Sequence, residues 1–533
     1  MSKKVENLII LILFSLTFYS ALVIGSPIDE PYEMTIGQER LKYLFTLGSY
    51  TDFDYYRYEK FYPGLYNTLA IFVTKFFPQR FEIVIWHSIN SICSIFTVFG
   101  IYKITSTLFN KQVGKIVFLL CFLNPIFFGH MAMNSKDTIV ALAHVWFVYI
   151  TIRYLQKQNL LINTNYYVIV AGLLLGLGTG VRLQFFATLF PWIVFILFDI
   201  FYLKKITNIN FVKKRLFIDI LKIVLIGYFF AIFAWSYTHS NILLEPYKIF
   251  IEQYKFNGFG VGWLLYNGNF FNTLELPKTY ILVNLFYKTP EFVILGLIIF
   301  LFSIFFHKNF YSSNFNSFFI KLSSLIVIII FPILIFIVFP YRVYDGLRLF
   351  FYIIPYINIL PALAIYYIIR NINLPINKIM SFVLAISFFY YLFIFIFLTP
   401  YQYTYLNKFT GSSDSVVKKF ENDYWGISIK ELIKNIPNKI ILSSKKEKIK
   451  FAFCGINHRI AKDELDKIKG LNYGVGNFFS GDYDYAIMNN RSQGHKNKDI
   501  LENVKTCFDI AKGSDLISVK RNGVVLSTIR INK

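Results

Sequence analysis

Apolar runs long enough to cross a bilayer recur along most of this 533-residue chain. In lipid every backbone N–H and C=O must be satisfied within the segment, so such runs impose helices. Taking stretches of about 17–25 residues as spans, eleven emerge: 8–25, 82–102, 112–128, 137–155, 164–181, 184–203, 217–237, 289–306, 318–339, 347–369 and 379–399. The residues are 56% hydrophobic and only 16% charged, which excludes an ordinary soluble globular protein. The fold class expected is an α-helical polytopic membrane protein of about eleven transmembrane helices, spread over residues 1–399. The first run follows Lys3 and Lys4 like a signal peptide. It lacks a small-residue cleavage site and so reads as a retained helix.

The formal net charge of +23 suggests nucleic acid at first sight. The basic residues instead sit in short connections, as the positive-inside rule requires of cytoplasmic loops. With the N-terminus in the cytoplasm, Lys103, Lys111, Lys115, Arg153, Lys157, Lys204, Lys205, Lys213, Lys214, Arg215, Arg370 and Lys378 all fall inside. No nucleic-acid partner is expected. The run 63–77 is short and reads as an interfacial helix, since counting it as a span would put Lys204–Arg215 outside. The outer face then receives the loops 26–81 and 238–288, and everything from residue 400 onward.

Residues 400–533 are polar. Short β-like runs at Lys439–Leu442, Ile449–Cys454, Tyr483–Met488 and Gly523–Ile531 alternate with helical patterns at Ser428–Ile436 and Ala461–Lys469, which suggests a small α/β domain. Cys454 and Cys507 lie in this tail and can pair if it faces an oxidising space.

Ionisable residues gather at the outer ends of the spans. Asp29 and Glu30 lie between Pro27 and Pro31, just past the first helix; they are either a solvated junction or a site. Glu59 and Lys60 close the same loop, with Tyr50, Tyr55, Tyr56, Tyr58 and Tyr62 before and beside them. Two acidic sites at one membrane edge suit a divalent metal ion or the activation of a hydroxyl. The next outer turn holds His130, Asn134, Lys136 and Asp137. Helix capping accounts for Asn134 or Asp137, and leaves His130 and Lys136 unexplained. Arg182 suits phosphate, or snorkels to the interface. Arg342 and Arg348 flank Asp345 and suit the same ligand, with an Arg348–Asp345 pair as the structural alternative. His87 and His144, alone in apolar helices, read as interhelical hydrogen-bonding residues.

Taken in order, these motifs resemble the GT-C-type integral-membrane glycosyltransferases. That group includes the protein O-mannosyltransferases and the aminoarabinose transferases, and the similarity is greatest to a bacterial branch. The residues concerned are Gly129, His130, Asn134, Lys136 and Asp137; then Tyr344, Asp345, Gly346 and Arg348; then Pro400, Tyr401, Tyr403, Asn407, Gly411, Asp423, Tyr424, Trp425 and Gly426. Leu349 stands where that branch commonly has His, and Ser412 where a second Gly follows Gly411.

The resemblance implies a GT-C-like fold in a bacterial inner membrane, N-terminus cytoplasmic and C-terminus outside. It implies transfer of a sugar from a polyprenyl-phosphate donor to a lipid, glycan or protein acceptor on the outer (periplasmic) face, with inversion. Asp29 is then the candidate general base, with Glu30 and Asp137 assisting it or holding a metal. Lys136, Arg182, Arg342 and Arg348 bind the donor phosphate. Glu59, His130 and Asp345 support the site or hold a divalent metal. The alternative is a flippase for the same lipid-linked sugar, against which stands the scarcity of charge inside the spans.

Overall fold

The computed structural model describes residues 3–50, 59–159, 164–255, 262–494 and 504–532. Tyr55, Tyr56 and Tyr58 lie outside the described residues.

Each of the eleven apolar runs is helical over most of its length. Among the described residues six helices are long and apolar enough to cross a membrane: Lys3–Val23, Gln79–Leu108, Asp137–Lys157, Phe318–Val338, Arg348–Arg370 and Pro375–Phe397. A seventh forms if Tyr280–Lys288 and Glu291–Phe306, bent by 111° where they meet, are one span. The remaining runs are shorter or interrupted. Run 112–128 divides into Lys111–Phe122 and Pro125–His130, the second capped by the Asn124 side chain. Run 184–203 divides into Phe185–Thr188, Phe190–Phe198 and a wide turn at Asp199–Leu203. Pro125 and Pro191 each lack the N–H that would continue the preceding helix, which is why these runs break where they do. Run 217–237 is the helix Lys213–Ile232, charged over its first turns. The segment 63–77 carries a ten-residue helix, Leu65–Thr74, with Leu69, Phe72 and Val73 turned outward.

Among the described residues the strands are Trp263–Tyr266 (β1) and Asn269–Asn272 (β2) in the long loop 238–288, then Ile449–Cys454 (β3), Tyr473–Val475 (β4), Tyr485–Asn489 (β5), Ser492–Gln493 (β6), Lys505–Thr506 (β7), Ser514–Arg521 (β8) and Val524–Ile531 (β9) in the tail beyond residue 400. The tail's main sheet has the order β4-β3-β5-β9-β8. β3 runs parallel to β4 and β5, while β9 is antiparallel to β5 and β8. One expected strand, Lys439–Leu442, is part of a helix, Asn438–Lys446. Pro437 opens that helix, and the local Ile-Ile pair does not outweigh its amphipathic spacing. Cys454 and Cys507 form a disulfide.

The tail docks directly on the C-terminal end of the first helix. Ala21, Ile24, Ala132 and Met133 share one apolar core with Trp425, Ile427 and the sheet residues Phe451 and Ile487. Hydrogen bonds reinforce it: Ile28 N to the Trp425 carbonyl (3.2 Å), Lys430 Nζ to the Ile24 carbonyl (3.0 Å) and Asn457 Nδ2 to the Ile28 carbonyl (2.9 Å). Gly129 lets the turn before His130 approach this docked segment, because a β-carbon there would collide with the Tyr403 backbone nitrogen.

Candidate active site

The loop after the first helix turns at Pro27 and enters the helix Glu30–Phe45, with Pro31 in its first turn. Asp29 occupies the N-cap position but makes no capping bond. Its carboxylate reaches across to Arg348 instead (2.9 Å) and stays 36% exposed, facing a cavity. Successive helical residues point about 100° apart, so Glu30 faces elsewhere. Glu30 is buried against His87 Nε2 at 2.7 Å, outside the cavity lining. The other His87 nitrogen lies 3.3 Å from the Ala21 carbonyl, which can only accept. Nδ1 therefore carries a proton. Glu33, one turn on from Asp29, sits on the same helical face and meets Lys136 Nζ at 2.8 Å, with a further bond from Ser135 Oγ.

The turn after Pro125–His130 delivers Lys136 and Asp137 at the head of the helix Asp137–Lys157. Capping there falls to Asn134, whose Oδ1 accepts from the Asp137 nitrogen at 2.9 Å. That leaves the Asp137 carboxylate for two guanidiniums: Arg182 at 2.7 Å and Arg348 at 2.9 Å. Arg348 also bonds Asp345 at 3.3 Å, and Asp345 in turn faces Arg491 from the tail at 3.4 Å. The result is a chain of alternating charge, Arg182–Asp137–Arg348–Asp345–Arg491, with Asp29 branching from its centre. The Trp425 ring lies 4.6 Å from the Arg348 guanidinium, and its indole N–H donates to Asp345 at 3.1 Å.

His130 stands behind this chain, fully buried, between Asn134 (3.3 Å) and the Tyr424 hydroxyl (3.1 Å). Burial pushes its imidazole down to about 3, so it is neutral and holds Asn134 and Tyr424 in place. Burial alone would raise the Asp29 carboxyl. Arg348 and Lys136 outweigh that and bring it to about 2. Burial likewise works against the charge on Lys136, but Glu33 and Asp29 overcome it and hold the ammonium charged.

A cavity of about 1160 Å³ opens in front of these groups. Asp29, Lys136, Asp137, Arg182, Arg342 and Arg348 all line it. One arm is apolar, built from Leu183, Phe185, Phe331, Pro332 and Ile335, and Ile335 remains exposed on the outside of the bundle. Arg342 lies near Gly262, so the loop carrying β1 forms part of the cavity wall.

Glu59, expected to support the site or hold a metal, is fully buried beside Arg40 at 3.8 Å and does not line the cavity. Among the described residues no group of three or more His, Cys, Asp or Glu side chains is placed to hold a metal ion. The three aspartates do converge, but on the Arg348 guanidinium, which already occupies the position a divalent ion would take. As arranged, the set does not fit a metal. His87 and His144 both bond between segments, His144 to the Tyr356 hydroxyl at 2.9 Å and the Thr188 carbonyl at 3.2 Å.

Sequence reasoning overlooked Glu33 and Arg491. Glu33 had a signal, its spacing of four from Asp29 on a helix. Arg491 had none, because its role depends on a contact with Asp345 across 146 positions.

Residues 63–226 match the family model of dolichyl-phosphate-mannose-protein mannosyltransferases. This stretch contains His130, Lys136, Asp137 and Arg182. No curated protein matches the sequence. Among solved structures, ArnT from Cupriavidus metallidurans bound to undecaprenyl phosphate aligns at 12% identity with a TM-score of 0.49, covering 99% of this chain and 98% of that one. The Archaeoglobus fulgidus oligosaccharyltransferase in complex with Zn and sulfate aligns at 13% identity and a TM-score of 0.45, covering 90% of this chain and 68% of that one.

Proposed function

We propose that this chain is a membrane glycosyltransferase. It moves a sugar from a polyprenyl-phosphate donor to an acceptor hydroxyl on the outer face of a bacterial plasma membrane. One observation carries the reading: Asp29 is ionised and open to a cavity that also holds fixed cations and an apolar arm. An anionic lipid phosphate needs those cations, and an isoprenoid chain suits the arm. The match over residues 63–226 to mannosyltransferases that use a lipid-phosphate sugar supports the same class.

In this reading the acceptor oxygen attacks the anomeric carbon as the bond from that carbon to the phosphate oxygen breaks. The hydroxyl proton passes to Asp29, and the polyprenyl phosphate leaves with the electron pair. Asp29 is a weak base at rest, but the attacking hydroxyl becomes acidic as its oxygen bonds to carbon, and general-base help of this kind is worth roughly 10²–10⁴ in rate. Lys136 and Arg182 receive the leaving phosphate, and Arg342 closes over it. Arg182 retains a buried Nε without a hydrogen-bond partner among the described residues, a donor available to such an anion. Arg348 orients Asp29 and offsets the charge that develops beside it. Glu30 and Glu59 act through their buried partners His87 and Arg40, away from the reacting groups, and no step runs through a metal ion.

The orientation is part of the proposal. Basic residues collect at the end opposite the cavity, which suits a cytoplasmic face. The Cys454–Cys507 disulfide suits an oxidising compartment for the tail, residues 400–533.

The experiment is transfer from undecaprenyl-phosphate sugars by the purified chain in lipid vesicles, comparing Asp29→Asn with the parent. Undiminished transfer by a folded Asp29→Asn protein would remove Asp29 from the mechanism. Movement of labelled lipid-linked sugar across the vesicle wall without transfer would favour the flippase.

A further inference from the structure

The alternating charge chain has two ends with different surroundings. Arg182 lies next to the apolar arm, between Val181 and Leu183. Arg491 belongs to the tail and follows β5 by two residues. Around Arg491 the cavity wall is polar. Asn457, Arg459 and Glu421 line it from the tail, and Trp263 lines it from β1. Trp263 is anchored there by the tail itself, since its indole lies over Gly494 so closely that a β-carbon would collide with it. Asn457 grips the Ile28 carbonyl, the residue before Asp29, so this wall is fixed beside the proposed base.

Three of these groups are committed. Arg491 bonds Asp345 and the Tyr424 carbonyl, Glu421 accepts from the Ser492 nitrogen at 2.8 Å, and Asn457 holds the Asp29 loop. Arg459 is not. Two residues beyond Asn457, its guanidinium lines the cavity with no hydrogen-bond or ion-pair partner among the described residues. Burial raises the Glu421 carboxyl above its ordinary range, so this wall repels an anion less than its composition suggests. An aromatic ring and an uncommitted guanidinium lining one cavity offer the chemistry that recognises an acidic sugar.

We propose that the tail-side wall, with Trp263, Arg459 and Arg491, is the acceptor subsite, and that it selects a glycan acceptor carrying a phosphate or carboxylate next to the hydroxyl to be glycosylated. This deepens the glycosyltransferase reading and rests on it. The phosphate of the donor belongs at the Arg182 end, and the anionic group of the acceptor at the Arg459 end. Asp29 lies between the two.

The test uses the full chain in nanodiscs saturated with undecaprenyl phosphate, so that the donor-phosphate site is filled. Binding of glucose 6-phosphate, glucuronate and glucose is measured by calorimetry. The charged sugars are expected to bind at least tenfold more tightly than glucose, and the tighter of the two identifies phosphate or carboxylate as the natural group. Arg459→Ala is expected to remove the preference and Arg459→Lys to restore part of it. Arg459 is exposed on the tail, so neither change threatens folding. Equal binding of glucose, failure of all three sugars to bind, or a preference that survives Arg459→Ala would each overturn the acceptor assignment. Failure of undecaprenyl phosphate to bind would count against the glycosyltransferase reading itself, and that measurement precedes the sugars.

Discussion

Among the described residues, two groups of paired acids differ in that one faces a cavity and the other does not. Near the basic connections, Asp199 accepts hydrogen bonds from the backbone nitrogens of Lys205, Ile206 and Thr207 and from the Thr207 hydroxyl. Asp219 is held by the Tyr154 hydroxyl at 2.8 Å and by Arg215 at 3.5 Å. Both are buried and neither lines the large cavity. Asp29 has a similar partner in Arg348, but part of its carboxylate remains open to a space of about 1160 Å³. Burial and pairing are therefore common to structural and candidate catalytic acids. What separates them is an unsatisfied side turned toward a cavity.

The largest effect is expected at the centre of the open cluster. Arg348→Ala leaves Asp137 and Asp345 buried with reduced compensation, and breaking a buried pair of this kind costs roughly 3–5 kcal/mol. Transfer is expected to vanish and the melting temperature to fall, read from vesicle assays and thermal unfolding of the same preparation. An active, equally stable variant would erase the distinction between the two clusters.

Asp29→Asn is expected to lower the transfer rate by roughly 10²–10⁴ with little change in stability, since its carboxylate is partly exposed. Asp219→Asn is expected to do the reverse, keeping transfer and losing about 1–3 kcal/mol of stability. Glu30→Gln sharpens the contrast within one dipeptide, because it should retain most transfer. If Glu30→Gln were as damaging as Asp29→Asn, the assignment of roles would have to be exchanged.

The pH dependence follows from the sign of the Asp29 shift. Its folded pKa, about 2, lies below the ordinary carboxylate value of 3.8, so its ionised form persists above that range and is lost only as pH falls through about 2. Transfer by the parent protein should therefore show no acid limb from Asp29 between pH 4 and 7. In Arg348→Gln, burial is no longer opposed by the guanidinium, and any residual activity should acquire an acid limb at higher pH. The rate profile of the variant checks this.

A loss of transfer smaller than that of Asp29→Asn is expected from breaking the disulfide, which closes a separation of 53 residues between the end of β3 and the segment after β7. The Cys507 nitrogen donates to the Arg491 carbonyl at 3.0 Å, so the bridge braces the strand end that carries Arg491. Cys454→Ser with Cys507→Ser should cost about 2–4 kcal/mol in the tail. It should lower transfer severalfold while leaving undecaprenyl phosphate binding unchanged, which separates the tail's contribution from that of the membrane helices.

Much of the site could be read from the sequence because its residues lie at helix ends, where a charge at a membrane edge stands out. Asp29, Lys136, Asp137, Arg182, Arg342 and Arg348 were all visible in this way, and all line one cavity. Helix direction misled the reading of Glu30, since an acidic pair in sequence is not a pair in space once the chain enters a helix. Glu59 misled in another way. A loop acid looks exposed, and only folding buries it beside Arg40. The helical runs were legible because apolar length is a local property, and the break at Asn124–Pro125 is local too, since proline cannot continue the preceding helix; the 111° bend between Tyr280–Lys288 and Glu291–Phe306 appears only in the folded chain.

By itself the sequence determined a multi-pass helical protein, a mixed α/β tail and the set of charged groups at the helix ends, because hydrophobicity and periodicity act over a few turns. Only the tertiary structure decided which acid remains open. Arg348 has three carboxylates around it, and those come from positions 29, 137 and 345. No local rule relates positions so far apart. Their meeting is fixed by packing of the membrane helices and by the tail that clamps Ile28 and Asp345 from outside.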